Sequence, residues 1–184
     1  MLRGIIGITG SPGTGKKTIS PLVAASLHLR CLAVDELARE FGALSRRGGE
    51  VDVDLLRSRI SEEASPALIY GHLLPYVLER KLVHKAVVLR CAPETLKARL
   101  TARGYQAQKI KENVESELIG VVSADAYAAF GGAKTFEFDT TRSTPEGAAE
   151  RIARLVRNGS PAPRIDWTMG YDSEVKLRSL LSEG

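Results

Sequence analysis

Residues 10–18 constrain the fold of this chain more than any other segment. They read GSPGTGKKT, so that glycines and a lysine follow the spacing G-x-x-x-x-G-K. The apolar run at residues 5–9 predicts a strand before this segment, and apolar residues at helical spacing predict a helix over residues 16–29. Backbone N–H groups of such a glycine-rich turn can surround phosphate oxygens, and the helix N-terminus and the lysine complete the cradle. The segment therefore predicts a phosphate-binding loop made by Pro12, Gly13, Thr14, Gly15, Lys16, Lys17 and Thr18.

The position after Lys16 departs from the usual form of this motif. Ser or Thr normally stands there, whereas this chain has Lys17. An ammonium group cannot coordinate Mg²⁺ as a hydroxyl does. Thr18 follows and could contact the α-phosphate, and it is also the candidate metal ligand. Lys17 either adds positive charge near the phosphates or is a solvent-exposed helix lysine, and the sequence leaves both interpretations open.

Strand-like and helical runs alternate along the rest of the chain. Further strands are predicted at residues 31–34, 66–70, 85–90 and 135–139. Helices are predicted at residues 35–41, 53–64, 73–81, 93–103, 108–130, 145–157 and 171–182, with Asp35 and Asp52 as N-caps of the first two. This alternation implies a parallel sheet covered on both faces. We therefore predict an α/β protein with the three-layer P-loop NTPase fold, in which a five-stranded parallel sheet forms one domain over residues 1–184.

Composition and charge indicate where the protein acts and which partners it can bind. No apolar run approaches the roughly 20 residues that span a bilayer, and the first apolar run is too short for a secretory signal. We therefore expect a cytoplasmic protein without membrane contact. Cys31 and Cys91 are far apart and lie in no metal-binding spacing, so we expect reduced core residues and no zinc. The formal net charge of +4 suits anionic partners such as nucleotides or RNA.

Several further segments resemble one family when they are taken in order. They are VDELARE at 34–40, EVDVD at 50–54, YGH at 70–72, VLRCAPETL at 88–96, LTARGY at 100–105, KENVESE at 111–117, FDTT at 138–141 and IDW at 165–167. This series resembles the adenylate kinase isoenzyme six family, small archaeal and eukaryotic NMP kinases and ATPases linked to small-subunit ribosome maturation. The resemblance covers nearly the whole chain, and residues 89–117 carry its most specific part.

The resemblance implies a nucleotide-binding core with two mobile pieces. An NMP-binding insert would fall at about residues 30–53, a short lid at about residues 101–111, and a C-terminal tail at about residues 160–184. It implies ATP and Mg²⁺ as cofactors, AMP or a related monophosphate as acceptor, and ribosomal protein uS11 and small-subunit rRNA as partners.

The resemblance also implies roles for individual residues. Arg103 falls on the lid arginine that meets ATP, and a guanidinium fork suits the charge that spreads over phosphoryl oxygens. His72 falls on a strand-end histidine that could orient an attacking water or a phosphate. Asp35 and Arg39 begin the NMP insert, and Asp139 would border the adenine. Lys16, Arg103 and His72 are therefore the candidate catalytic residues.

Two features of the insert and the strand-end motif leave alternatives open. The motif normally carries an aspartate that holds the water shell of Mg²⁺, but no carboxylate is present near Tyr70. Asp35, Asp52 or Asp54 would have to replace it, or metal binding and hydrolysis would be weak. The arginines of the RRGG segment at residues 46–49 could contact RNA or phosphate, or only make a loop soluble.

Three functions are consistent with these patterns. The first is an adenylate kinase that converts ATP and AMP to two ADP, with broad NMP acceptance, ATPase activity and a role in small-subunit maturation. The second is an ATP-gated assembly factor that binds uS11 and rRNA with little kinase activity. The third is a kinase for another small molecule, such as shikimate or a nucleoside, on the same core.

Overall fold

A parallel sheet occupies the centre of the molecule, as the sequence predicts. The computed structural model describes residues 4–44, 50–63, 65–159, 164–171 and 174–181. The strands are β1 (Ile5–Gly10), β2 (Arg30–Ala33), β3 (Ala67–Tyr70), β4 (Val83–Arg90) and β5 (Thr135–Asp139). They pair in the order β2-β3-β1-β4-β5, and every pair is parallel. The predicted five-stranded parallel sheet is confirmed.

Helices cover both faces of this sheet. They are α1 (Lys16–Leu27), α2 (Val34–Glu40), α3 (Val53–Glu62), α4 (Leu74–Val77), α5 (Pro93–Ala102), α6 (Ala107–Leu118), α7 (Val121–Phe130), α8 (Pro145–Asn158) and α9 (Glu174–Leu181), with a 3₁₀ turn at Thr168–Gly170. Successive strand side chains point to opposite faces. Ile6 and Ile8 accordingly pack with α1 and α8, whereas Ile5 packs with α2, α3, α4 and α7 on the other face. A third apolar cluster joins α5, α6 and α9 beside the sheet.

Three local predictions were wrong. The helix predicted over residues 108–130 is two helices, because Gly120 adopts a left-handed conformation (φ 70°) between α6 and α7. Asp35 does not cap α2: Ala33 occupies the N-cap position, and Asp35 lies in the first turn. The helix predicted at residues 73–81 is only α4, because the backbone is extended at Leu78.

Other local predictions were confirmed. The Asp52 carboxylate accepts a hydrogen bond from the Leu55 N–H at 2.9 Å and caps α3. Pro93 opens α5, a position that tolerates proline because no intrahelical N–H bond is needed there. Both cysteines are free thiols, but only Cys91 is buried in the core as predicted, whereas Cys31 is partly exposed. No helix within the described residues is long and apolar enough to cross a membrane.

The predicted insert and lid fall on defined parts of this fold. The insert region contains β2, α2 and an isolated antiparallel bridge between Leu44 and Val51, while Arg46 and Arg47 lie outside the described residues. The lid region contains the end of α5, a short turn and the start of α6. All strands are parallel, so the loops that follow them meet at one edge of the sheet, where ligand sites of open α/β sheets form. The phosphate loop, Asp35, His72 and Asp139 therefore share this edge.

Candidate nucleotide site

The loop between β1 and α1 has a backbone that only glycine can adopt without strain. Gly10 has φ 141°, and a Cβ there would collide with the Leu89 carbonyl oxygen of the neighbouring strand. Gly13 has φ 91°, and its Cβ would lie 2.6 Å from Leu96 Cδ1 of α5. The glycines thus allow the loop to pack directly on β4 and α5. This close packing fixes the position of the loop relative to the sheet edge.

Thr14 stabilises the loop from within. Its N–H and its hydroxyl both donate to the Ser11 carbonyl oxygen, at 3.3 and 2.8 Å. The hydroxyl is buried and engaged with the loop itself, so Thr14 can offer a nucleotide its backbone rather than its hydroxyl. Pro12 and Gly15 are partly buried in the same loop, and Lys17 and Thr18 are exposed in the first turn of α1.

The ammonium group of Lys16 lies against the carbonyls at the start of the loop. Its Nζ donates to Gly10 O at 2.6 Å and to Ser11 O at 3.0 Å. Desolvation lowers the pKa of Lys16 to about 8, against the opposing effect of the negative charges on Glu117 and Asp35. A phosphate group would supply the oxygen partners that these two carbonyls now provide. Lys16 is therefore a cation that a bound polyanion would stabilise.

The candidate residues from separate segments converge electrostatically. The positive charge of Arg103 contributes to the lowered pKa of Lys16. The pKa of His72 is lowered by desolvation and by the charge of Lys16, while Asp35 opposes the shift. Lys16, Asp35, His72 and Arg103 thus lie close enough for their charges to act on one another. Arg39, on α2, is exposed to solvent.

The loop after β5 is tied to the phosphate loop. The Thr140 hydroxyl lies 3.0 Å from Thr14 O and 2.9 Å from Arg90 O. Asp139 Oδ1 accepts from the Thr141 N–H at 2.8 Å and from the Thr141 hydroxyl, so this carboxylate orders its own loop. An open cavity of about 450 Å³ lies beside these residues, and its lining includes Asp139, Thr141 and Trp167.

The protein offers few ligands for a metal ion at this edge. Among the described residues, no three His, Cys, Asp or Glu side chains form a group that could hold one. Tyr70 ends β3, and desolvation followed by nearby Cys31, Glu36 and Asp35 raises the pKa of its hydroxyl. The Thr18 hydroxyl and the Asp35 carboxylate are oxygen donors, and Mg²⁺ usually keeps several waters and binds through substrate phosphates. These residues fit a metal ion that arrives with the nucleotide.

The sequence reasoning missed a buried ionic cluster behind the loop. Arg90, Glu117 and Glu137 are only 2%, 2% and 3% exposed. Arg90 Nε donates to Glu117 Oε1 at 2.8 Å, and Arg90 Nη1 donates to Glu137 Oε2 at 2.9 Å. Glu117 Oε2 in turn accepts from the Ser11 hydroxyl of the phosphate loop at 2.7 Å. One available signal was Glu137, a charged residue between two phenylalanines in a strand whose neighbours are buried.

The fold and the loop geometry define the class of this protein. A parallel sheet with a glycine-rich loop between β1 and α1, closed by Lys16, makes it a P-loop protein of the NMP-kinase-like type. Residues 6–120 match the AAA domain family. The chain is 35% identical over 182 residues to "Putative adenylate kinase" of Thermococcus onnurineus, covering 96% of this chain and 98% of that protein. The same-named protein of Thermococcus kodakarensis is 36% identical over 174 residues, 91% of this chain and 95% of its own. The chain belongs to the family of these archaeal proteins.

Solved structures agree on the fold alone. Shikimate kinase from Acinetobacter baumannii, in complex with shikimate, superposes with a TM-score of 0.60 at 17% identity, covering 86% of this chain and 95% of that one. At this identity the similarity shows a shared architecture and does not indicate which substrate this protein binds. The expected adenylate kinase relationship is supported by the sequence relatives, whereas the link to ribosome maturation stays a prediction.

Proposed function

We propose that this protein is a nucleoside monophosphate kinase that transfers the γ-phosphoryl group of MgATP to AMP or a related monophosphate. The observation that carries the proposal is the phosphate loop, whose Lys16 Nζ donates to Gly10 O at 2.6 Å and to Ser11 O at 3.0 Å, at the sheet edge that Asp35 and His72 share. The positive charge of Arg103 also acts on Lys16. Phosphoryl transfer depends mostly on positioning and on neutralising charge, so the positive charges of Lys16 and Arg103 beside such a loop suit it.

Each candidate residue has a distinct role in this proposal. The backbone of residues 12–18 and the Lys16 ammonium hold the β and γ phosphates of ATP. Arg103 neutralises charge on the transferring phosphoryl group, and Asp35 and Arg39 lie on the acceptor side. An acceptor phosphate oxygen forms the new bond to the γ-phosphorus as the bond to the β–γ bridging oxygen breaks, so ATP and AMP yield two ADP.

Mg²⁺ enters this proposal as part of the MgATP substrate, with the Thr18 hydroxyl as its protein ligand. His72, whose lowered pKa keeps the ring neutral at pH 7, would orient the acceptor, or a water molecule in its place. Attack by water instead of a monophosphate would give the ATPase activity. The cavity beside Asp139 would receive the adenine. We place this activity in the cytoplasm.

The proposal is tested by ADP formation from ATP plus AMP with Mg²⁺. We expect Arg103→Ala to lower kcat on the order of 10²-fold to 10³-fold, because one preorganised donor to the transition state is lost. Arg154→Ala is a matched control, because Arg154 pairs with Glu150 on the exposed face of α8. Wild-type protein that forms no ADP above background, with each monophosphate tried as acceptor, would refute the proposal.

A second candidate function is an ATP-gated assembly factor that binds uS11 and small-subunit rRNA. The missing carboxylate at Tyr70 and the net charge of +4 favour it, since they weaken metal-dependent turnover and attract RNA. It predicts a complex with uS11 at low salt whose stability changes with ATP. Failure of the two proteins to co-purify at low salt would count against this function.

A further inference from the structure

The segment 164–171 is attached to the body of the protein by the buried ionic cluster. The Ile165 N–H donates to Glu137 Oε2 at 2.7 Å, and Arg90 Nη1 donates to Ile165 O at 3.0 Å. Trp167 Nε1 donates to Glu117 Oε1 at 3.2 Å. Both backbone polar groups of Ile165 and the Trp167 indole are thus held by this cluster. The contacts fix the backbone of this C-terminal segment behind the phosphate loop.

Glu117 is the point at which this segment and the phosphate loop meet. Its Oε2 accepts from the Ser11 hydroxyl at 2.7 Å. Its Oε1 accepts from Arg90 Nε at 2.8 Å, from the Cys91 N–H at 3.0 Å and from Trp167 Nε1 at 3.2 Å. The two oxygens belong to one rigid carboxylate plane. A displacement of Ser11 therefore moves the acceptor on which the Trp167 indole depends.

Ser11 also contacts the cation that a nucleotide would engage. Its carbonyl accepts from Lys16 Nζ at 3.0 Å, while its hydroxyl donates to Glu117. When phosphate oxygens replace the carbonyls as partners of Lys16, the Ser11 peptide loses one of its contacts. This shift of the Ser11 peptide reaches Glu117 through the Ser11 hydroxyl. The Ser11 side chain is fully buried, so its hydroxyl cannot bind solvent in place of Glu117.

We propose that Glu117 is a positioning residue that couples the phosphate loop to the C-terminal segment, so that phosphate binding and docking of residues 164–171 affect each other. Coupling between sites is reciprocal, so a change at either end must appear at the other. This coupling rests on one part of the proposed function, the binding of a polyphosphate in the loop. It does not need the transfer step.

Trp167 is the only tryptophan of the chain, so its fluorescence reports on this coupling directly. The probe is tripolyphosphate, which has no base and so cannot alter the emission by stacking on Trp167 in the neighbouring cavity. We expect tripolyphosphate to change the emission of the wild-type protein. Ser11→Ala should abolish this change and raise the Kd measured by calorimetry about 5-fold to 20-fold, within the usual range of coupling between sites.

Ser123→Ala is a matched control for Ser11→Ala. Ser123 is also a buried serine, but its hydroxyl donates to Glu137 rather than to Glu117. This variant leaves the hydrogen bonds of Glu117 to Ser11 and Trp167 in place. We therefore expect it to lower the thermal midpoint while its emission change stays within about twofold of the wild-type value. If the buried cluster only stabilised the fold, Ser11→Ala and Ser123→Ala would change the emission response to the same extent.

The reverse direction is tested with Trp167→Phe, which keeps a ring but removes the N–H that Glu117 accepts. We expect a raised Kd for tripolyphosphate by calorimetry, with Met169→Ala, an exposed neighbour, unchanged. Emission that does not respond in the wild-type protein, a normal response in Ser11→Ala, or equal losses in Ser11→Ala and Ser123→Ala would overturn the coupling. If the wild-type protein forms no ADP but its emission responds normally to tripolyphosphate, the kinase proposal is refuted and the coupling stands.

Discussion

Nucleotide affinity should fall as the pH rises above about 8, because Lys16 then loses its proton in the ligand-free protein. Burial of the ammonium group lowers the pKa of Lys16 from 10.5 to about 8. Bound phosphates favour the charged form, so the pKa is higher in the complex. Below pH 8 both states carry the proton and the affinity is constant. Above pH 8 the free protein must take up a proton to bind, and the affinity declines.

The size of the decline follows from this shift. One pH unit above a pKa of about 8, roughly one Lys16 in eleven keeps its proton. The Kd at pH 9 should therefore be about tenfold higher than at pH 7, equivalent to about 1.4 kcal/mol. The terminal phosphate of ATP is largely ionised over this range, since the last pKa of a phosphate ester is near 6. In the ligand-free protein, desolvation and the charge of Lys16 lower the pKa of His72 and so favour its neutral ring over this range.

Calorimetric titration with ATP at pH 7, 8 and 9 measures this effect. Lys16→Arg is the control, because a guanidinium stays protonated over the whole range and its binding should not depend on pH. Equal Kd values for the wild-type protein at pH 7 and 9 would show that binding does not depend on the protonation of Lys16 in this range. Equal slopes for the wild-type and Lys16→Arg proteins would show that another group titrates.

Two further substitutions test the loop and the buried cluster. Gly13→Ala should lower the free energy of unfolding by about 1–3 kcal/mol in a urea titration, because φ is 91° and the Cβ would press on α5. Gly132→Ala is the control, since its Cβ would meet nothing within 4 Å, and equal losses in the two variants would contradict the packing argument. Arg90→Met should cost about 3–5 kcal/mol in the same titration, because two buried carboxylates lose their cation. A loss below about 1 kcal/mol would show that the cluster is not ionic.

The strands could be predicted closely from the sequence, and the helix boundaries less so. The parallel strands are buried on both faces and therefore appear as short apolar runs, such as KAVVLR at residues 85–90, which predicts β4. The break between α6 and α7 could not be seen this way, because Ile119 and Val121 continue the apolar pattern across it although both are exposed. The left-handed Gly120 that ends α6 lies against the Arg90 guanidinium, a contact between distant segments.

The candidate site was predicted in part for a similar reason. The phosphate loop is local, so the spacing of Gly10, Gly15 and Lys16 specifies it. The buried cluster behind it is not local: Arg90 and Glu117 are 27 residues apart and meet only when α6 packs beside β4. Single charged residues in a sequence are usually solvated, and nothing in their spacing marked this pair. Tertiary packing alone brings the Glu117 carboxylate to Ser11.

We infer that the loop after β1 binds nucleotide phosphates through its backbone and Lys16. Calorimetric titration of ATP with Mg²⁺ into the wild-type and Lys16→Ala proteins tests it most directly, with Lys81→Ala as a control at the opposite edge of the sheet. The account predicts saturable binding to the wild-type and Lys81→Ala proteins. It predicts a Kd at least about tenfold higher for Lys16→Ala, since a charge-assisted hydrogen bond contributes about 1.5–3 kcal/mol. No ATP binding to the wild-type protein, or unchanged binding to Lys16→Ala, would contradict the claim.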